Sequence, residues 1–274
     1  MCIAYIALAC HPDWPLIIAA NRDEFHARPT LAAAYWKQNP DLLAGRDQRA
    51  GGTWLGIHPK HRRISLITNF REPGNTQHFR QSRGELALHC LNQNKSSSLQ
   101  ALQTLEPQAH DYAGFNLLSL DLLPIDPQSW TAQAAYLSNR NDGKSYELAA
   151  GIHVLSNHLL NTAWPKSEYL REHILAQGFD GSAQSIQQIF AILRTDQPAA
   201  DHMLPTTGLP LERERLLSSP FIISPEYGTR CSSLVAINRQ GEGLFIERSF
   251  DSQARLQSQH DWYFQLSSPF QNTP

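Results

Sequence analysis

Neither GxGxxG nor a P-loop occurs in this 274-residue chain, so a dinucleotide or nucleotide fold built on a phosphate-binding glycine loop is excluded. HExxH, CxxC and CxxCH are absent as well, and protein-bound zinc and covalent haem are not expected. No segment approaches the run of about 18 apolar residues that a membrane span needs. Lysine and arginine total 23 against 25 acidic residues, a net charge of −2 without a basic block, so no nucleic-acid footprint is visible. Cysteines number four, Cys2, Cys10, Cys90 and Cys231, with neither metal-like nor disulfide-framework spacing. They read as reduced thiols, the last three as buried small side chains. The twelve histidines are scattered over loops and surfaces rather than gathered into a site. An export signal is the one alternative at the start, because Ile3–Ala9 is apolar and Leu8-Ala9-Cys10 is similar to a lipoprotein cleavage site. No Lys or Arg precedes that run, and it is too short. A cytoplasmic protein is the expectation.

What is present is a composition that can bury a core, 41% hydrophobic and 18% charged. Alternating runs predict strands at Ile3–Ala9, Leu16–Ala20, Thr53–Ile57, Ile64–Thr68, Phe115–Leu120, Ala132–Leu137, Tyr146–Ala149 and Ile152–Leu155. Ser233–Asn238, Gly243–Ser249 and Asp261–Leu266 follow. Helical periods occupy Gln81–Leu91, Leu99–Leu105, Pro165–Gln177 and Ser185–Leu193, with Pro165 in a first turn and Gly178 as a stop. Asn21-Arg22-Asp23-Glu24 is expected to end the second strand, and Thr195–Leu211 to be a long loop. Strands arrive in hairpins with helices in blocks, which predicts mainly antiparallel sheets in an α+β protein. No internal repeat or low-complexity linker divides residues 1–274, and one domain is expected.

Cys2 is the residue with the most chemistry to offer. Removal of Met1, expected when a small residue follows it, leaves a thiol and a free α-amine on one residue. An amine of that kind titrates at about 7.7–8.0. It is therefore suited to take the proton of its own side chain. The charged block after Leu16–Ala20 has two readings: a solvated strand end with an Arg22–carboxylate pair, or a hairpin partner that delivers charge to Cys2. In the second, a guanidinium favours the thiolate and a carboxylate holds the ammonium. Strand alternation puts Asn21 and Asp23 on one face, Arg22 and Glu24 on the other. Asn157, in Ser156-Asn157, is a turn residue or an oxyanion donor; Asn69 is a strand-end residue or a pocket-lining amide. Gly51-Gly52-Thr53-Trp54 reads as a close backbone approach with Trp54 as pocket wall or core, and Arg46 and Asp47 as a local pair. Cys231 is a candidate second thiol near the site.

Cys2, Asn21-Arg22-Asp23-Glu24-Phe25, Arg28-Pro29-Thr30, Ala44-Gly45-Arg46-Asp47 and Gly51-Gly52-Thr53-Trp54-Leu55-Gly56 together resemble the NRDE family, also called the transport and Golgi organisation family. Thr68-Asn69-Phe70-Arg71-Glu72, Leu155-Ser156-Asn157, Trp164-Pro165-Lys166 and Tyr227-Gly228-Thr229-Arg230 extend the likeness. The resemblance implies the four-layer αββα sandwich of the N-terminal nucleophile (Ntn) hydrolases. Through their cysteine-type members, the choloylglycine and penicillin amide hydrolases, it implies Cys2 as nucleophile and Arg22 beside the thiol. It further implies Asn157 as oxyanion donor and Arg230 as a charged contributor. Beside these, the residue reading expects Asp23 on the α-ammonium and Asn21, Glu24, Asn69 and Trp54 around the substrate. Those hydrolases carry an aspartate three residues after the arginine; here that position is Phe25, and either Asp23 or Glu24 takes the place. The implied activity is hydrolysis of a linear amide or related acyl bond on a small molecule, without a cofactor. The alternative implied by the same family is a non-catalytic binder for haem or lipid trafficking, with a Cys or His as axial haem ligand.

Overall fold

The computed structural model describes residues 2–77 and 79–267. Among the described residues, thirteen strands fall into two sheets. The first holds β1 (Cys2–Leu8), β2 (Leu16–Phe25), β10 (Gly151–Leu155), β11 (Tyr227–Ile237), β12 (Glu242–Phe250) and β13 (Leu256–Gln265), in the order β10-β1-β2-β11-β12-β13. The second holds β3 (Thr30–Trp36), β4 (Asn39–Asp47), β5 (Leu55–His58), β6 (Arg63–Asn69), β7 (Phe115–Asp126), β8 (Ser129–Ser138) and β9 (Tyr146–Glu147), in chain order. Every paired neighbour is antiparallel.

Alternation of side chains along the strands sorts them into layers. Ala4, Ile6 and Leu8 of β1, with Ile18 and Ala20 of β2, share a core with residues of the second sheet such as Leu55, Ile57 and Leu117. Their neighbours Ile3, Tyr5, Ala7, Ile17 and Ala19 point the other way. There they meet Leu170 and Ile174 of α3 (Pro165–Gln177) and Ile189, Phe190 and Leu193 of α4 (Ala183–Leu193). Two further helices, α1 (Arg83–Asn92) and α2 (Ser98–Gln103), pack against the second sheet through β5–β8. The order is helix, sheet, sheet, helix: the αββα sandwich that the resemblance implies.

Several departures from the sequence reading have physical causes. β2 does not end at Ala20 but continues to Phe25, because β1 and β11 flank it on both sides and keep its backbone paired through the charged block. β3 and β4 were not legible, being rich in alanine and broken by Asn39-Pro40, residues with low strand preference. The segment 195–211 contains a short 3-10 turn and leads into α5 (Leu211–Leu216), a polar helix anchored by a buried 2.6 Å Arg71–Glu214 ion pair. Cys10, expected to be buried, is exposed in the turn after β1, whereas Cys90 and Cys231 are buried. Arg46 and Asp47 do not pair: Arg46 stacks over Trp36 and Asp47 takes Arg28 at 2.6 Å.

Gly52 is where the backbone approach is closest. A Cβ there would lie 2.6 Å from the carbonyl carbon of Gly84, in the first turn of α1. The β4–β5 loop and that helix end are thereby locked side by side. Gly52→Ala is expected to destabilise the protein by about 1–3 kcal/mol, the usual cost of overpacking, measured by urea denaturation; an unchanged midpoint would show that the loop is free to move away.

Candidate active site

Cys2 lies at the first position of β1 and is 7% exposed. It lines a cleft of about 360 Å³ at the end of the first sheet, together with Arg22, Asp23, Glu24, Trp54 and Asn69. The Gly52–Trp54 loop, residues 82–84 and α5 supply the remaining walls. Six of the nine candidate residues therefore share one cavity. Asn21, Asn157 and Arg230 do not line it.

Register explains the grouping. Cys2 pairs with Arg22 on one side of β2, and Cys231 pairs with Arg22 on the other. Cross-strand partners share a face, so the two thiols flank one guanidinium. Arg22 lies 3.7 Å from Glu24 and 3.9 Å from Asp47, and Arg28 bridges the same two carboxylates. Asn21 and Asp23 use the opposite face, as alternation requires. Asn21 donates to the carbonyls of Leu193 and Pro220 and accepts from Ser232, a structural clamp onto the end of α4. Asp23, 1% exposed, accepts a 2.6 Å bond from Thr229 Oγ1, and its backbone N–H donates toward the Cys2 thiol. It reaches the cleft because the sheet ends there.

Arg230 is displaced by a bulge: Thr229 pairs with Asp23 and Cys231 with Arg22, leaving Arg230 between them without a partner on β2. Its guanidinium donates to the carbonyls of Phe25, His26 and Arg28, closing the turn after β2. With Cys231 and the buried Glu247 it lines a neighbouring cavity of about 170 Å³. Asn157 is 0% exposed and stands behind Asn69, donating from Nδ2 to Asn69 Oδ1 at 3.1 Å. Asn69 is the amide that meets the cleft.

Burial dominates the titration of the site. It raises the Cys2 thiol, opposed by the positive charges of the amino terminus and Arg22 and reinforced by Asp23. The guanidinium thus acts in the direction anticipated, without overcoming desolvation. A thiol held up in this way needs a base when it reacts. Burial raises Asp23 as well, against the amino terminus, Lys166, the Thr229 bond and Arg22.

Lys166 was not singled out from the sequence as a site residue. It is 2% exposed, its Nζ lies 3.4 Å from Asn157 Oδ1, and burial pushes its pKa down to about 8. A signal for it was available: Pro165 starts α3, so Lys166 stands in the first turn, where the helix dipole disfavours a cation. A cation placed there has a reason from elsewhere in the fold.

Among the described residues no group of three or more His, Cys, Asp or Glu side chains could hold a metal ion. For haem, the cleft offers the Cys2 thiol and no imidazole. That donor set supplies one axial ligand and not two. Among the described residues no helix is long and apolar enough to cross a membrane.

The fold and site define an α+β sandwich with a cysteine opening a strand at the end of one sheet. The family described as Transport and Golgi organisation 2 matches residues 1–252, and the chain belongs to that family. The Transport and Golgi organization protein 2 homolog of Bos taurus is 32% identical over 263 residues, covering 91% of this chain and 93% of the relative. The Homo sapiens homolog is 31% identical with the same coverages, and the Drosophila melanogaster protein is 26% identical over 91% of this chain and 92% of its own length. Among solved structures, a Caenorhabditis elegans N-acylethanolamine-hydrolyzing acid amidase ortholog is similar at a TM-score of 0.42 and 9% identity, covering 85% of this chain and 91% of that one.

The Lys166 shift makes stability depend on pH. The ordinary value is 10.5 and the folded value about 8, so between these the unfolded chain binds the extra proton and stability rises with pH. Lys166→Met removes this contribution. Urea denaturation of both proteins should show the wild type gaining on the variant by on the order of 3 kcal/mol between about pH 7.5 and about pH 10.5; parallel pH profiles would contradict it.

Proposed function

We propose that this protein is a cysteine hydrolase of a small-molecule amide or related acyl bond, with Cys2, exposed by removal of Met1, as nucleophile. The observation that carries the reading is the convergence of Cys2, Asp23 and Asn69 on one cleft, with Arg22 paired to Cys2 across the strands.

The steps follow from those positions. The α-amine of Cys2 takes the thiol proton, and the thiolate attacks the substrate carbonyl, forming a C–S bond. Negative charge develops on the carbonyl oxygen and is met by the Asn69 amide N–H; a positioned donor of this type contributes about 2.7–4 kcal/mol. Asp23 holds the ammonium formed. As the carbonyl re-forms, the C–N or equivalent bond breaks and the ammonium returns its proton to the leaving group. Water then attacks the thioester carbonyl while the α-amine takes its proton; the C–S bond breaks, and that proton passes to the departing sulfur. Asn157 supports Asn69 from behind, Arg22 supplies positive charge beside the thiol, Arg230 maintains the turn that carries it, and Glu24 and Trp54 bound the substrate. A cytoplasmic setting suits a free thiol nucleophile.

Para-nitrophenyl acetate tests this without a known substrate. The purified protein, with loss of Met1 established by intact mass, should release nitrophenolate with acetyl transfer to Cys2, located by peptide mapping. Cys2→Ala should abolish that acetylation while leaving the circular dichroism spectrum and urea midpoint in place. Acetyl transfer that continues elsewhere at the wild-type rate, or a mature protein that retains Met1, would remove the mechanism.

A further inference from the structure

Lys166, Asn157 and Asn69 form a chain from beneath the cleft to its wall. Lys166 Nζ lies 3.4 Å from Asn157 Oδ1; Asn157 Nδ2 donates to Asn69 Oδ1 at 3.1 Å and to the Asn69 carbonyl at 3.3 Å; Asn69 lines the cleft with Cys2. Each amide has an acceptor end and a donor end, and its sense is set by the neighbours that cannot reverse. Ser156, whose hydroxyl lies 3.2 Å from the Asn157 oxygen, is not one of these, since a hydroxyl donates or accepts. An ammonium has donors only. Lys166 therefore holds Asn157 Oδ1 as an acceptor from one end, and the Asn69 carbonyl, an acceptor only, holds Asn157 Nδ2 as a donor from the other.

We propose that Lys166 is a positioning residue that sets the polarity of the Asn157–Asn69 pair, so that Asn69 turns its N–H₂ group rather than its oxygen toward the carbonyl that Cys2 attacks. The inference rests on the acyl-transfer reading above. With its oxygen occupied by Asn157, Asn69 has only Nδ2 to offer; its one other bond is a long 3.4 Å contact to the Phe70 carbonyl. A donor with its sense fixed in advance stabilises an oxyanion without reorganising at the moment of reaction. Burial favours the neutral amine, and neighbouring charges act against it. Asp23 on β2, Cys2 on β1 and Glu214 on α5 favour the ammonium, and Arg71, following β6, opposes it. Loss of the proton would let Lys166 accept and release its hold on Asn157 Oδ1.

The test separates oxyanion stabilisation from thiol reactivity. Acylation of Cys2 by para-nitrophenyl acetate passes through an oxyanion; alkylation by iodoacetamide does not, and both need the same thiolate. Their rate ratio at Cys2, measured on the full chain, cancels changes in thiol ionisation. Lys166→Met is expected to lower the ratio by about 10–100-fold, the usual cost of losing a group that orients a reacting one, with Lys166→Arg largely restoring it. Asn69→Ala should lower it by about 100–1000-fold. In the wild type the ratio should fall as pH rises through about 8, and in Lys166→Arg it should stay level. The wild-type profile needs no variant to fold, so a ratio independent of both pH and Lys166 overturns the proposal. Wild-type protein that is alkylated but never acylated at Cys2 overturns the acyl-transfer reading and this inference with it. Acylation that persists with an invariant ratio overturns the inference alone.

Discussion

β2 carries Arg22, Asp23 and Glu24 into the middle of a sheet, and the cleft depends on how those charges are satisfied there. An uncompensated buried ion costs several kcal/mol, so the strand can continue past Ala20 only if partners are built in around it. Arg22 receives Glu24 and Asp47 on the inter-sheet face; Asp23 receives the Thr229 hydroxyl on the other. Arg28 ties the two acids near Arg22 together, and Arg230, bulged out of β11, closes the turn that follows. The ordinary geometry of an antiparallel ladder then does the rest, setting Cys2 opposite Arg22.

That arrangement has a direct electrostatic consequence for the thiol. A cysteine beside a guanidinium would ordinarily ionise more readily, yet Cys2 is so far desolvated that burial outweighs the neighbouring charges. Arg22 is largely engaged by two carboxylates, which further limits what it offers the sulfur. The site is therefore poorly suited to a standing thiolate and better suited to proton transfer during attack, the role proposed for the α-amine of a chain beginning at Cys2. Two features of this cleft, a buried thiol whose titration is pushed up and a carboxylate one position beyond its cross-strand partner, follow from one choice of register.

Much of this was legible where a local signal matched the tertiary outcome. Pro165 and Gly178 bound α3 as read, the latter at φ +68° where glycine is favoured. The late hairpin turns at Gly241, φ +78°. The opposite faces of Arg22 and Asp23 followed from the period of a strand. Legibility failed where distant neighbours decide. β2 reads as ending at its first charges because its partners on β11 lie about 200 positions later in sequence; α5 has no apolar period, and its buried Glu214 pairs with Arg71, 143 positions earlier. Whether Asn69 or Asn157 meets the cleft depends on a contact spanning 88 residues, which no local pattern encodes.

Lys166 illustrates why such exceptions concentrate near a site. Its position combines two unfavourable placements, a cation at the positive end of a helix dipole and an amine removed from water. Ordinary core packing would be better served by an apolar residue there. What the lysine provides is positive charge on the side of Asp23 away from Arg22. Burial alone favours the neutral acid, and a neutral Asp23 could not hold an ammonium; Lys166 and Arg22 both act against that neutralisation. The same Nζ reaches Asn157. One buried cation thus bears on the carboxylate at one end of the proposed reaction and on the amide donor at the other. A local violation of helix and core preferences that touches both ends is what a functional constraint, rather than a stability constraint, would leave in a sequence.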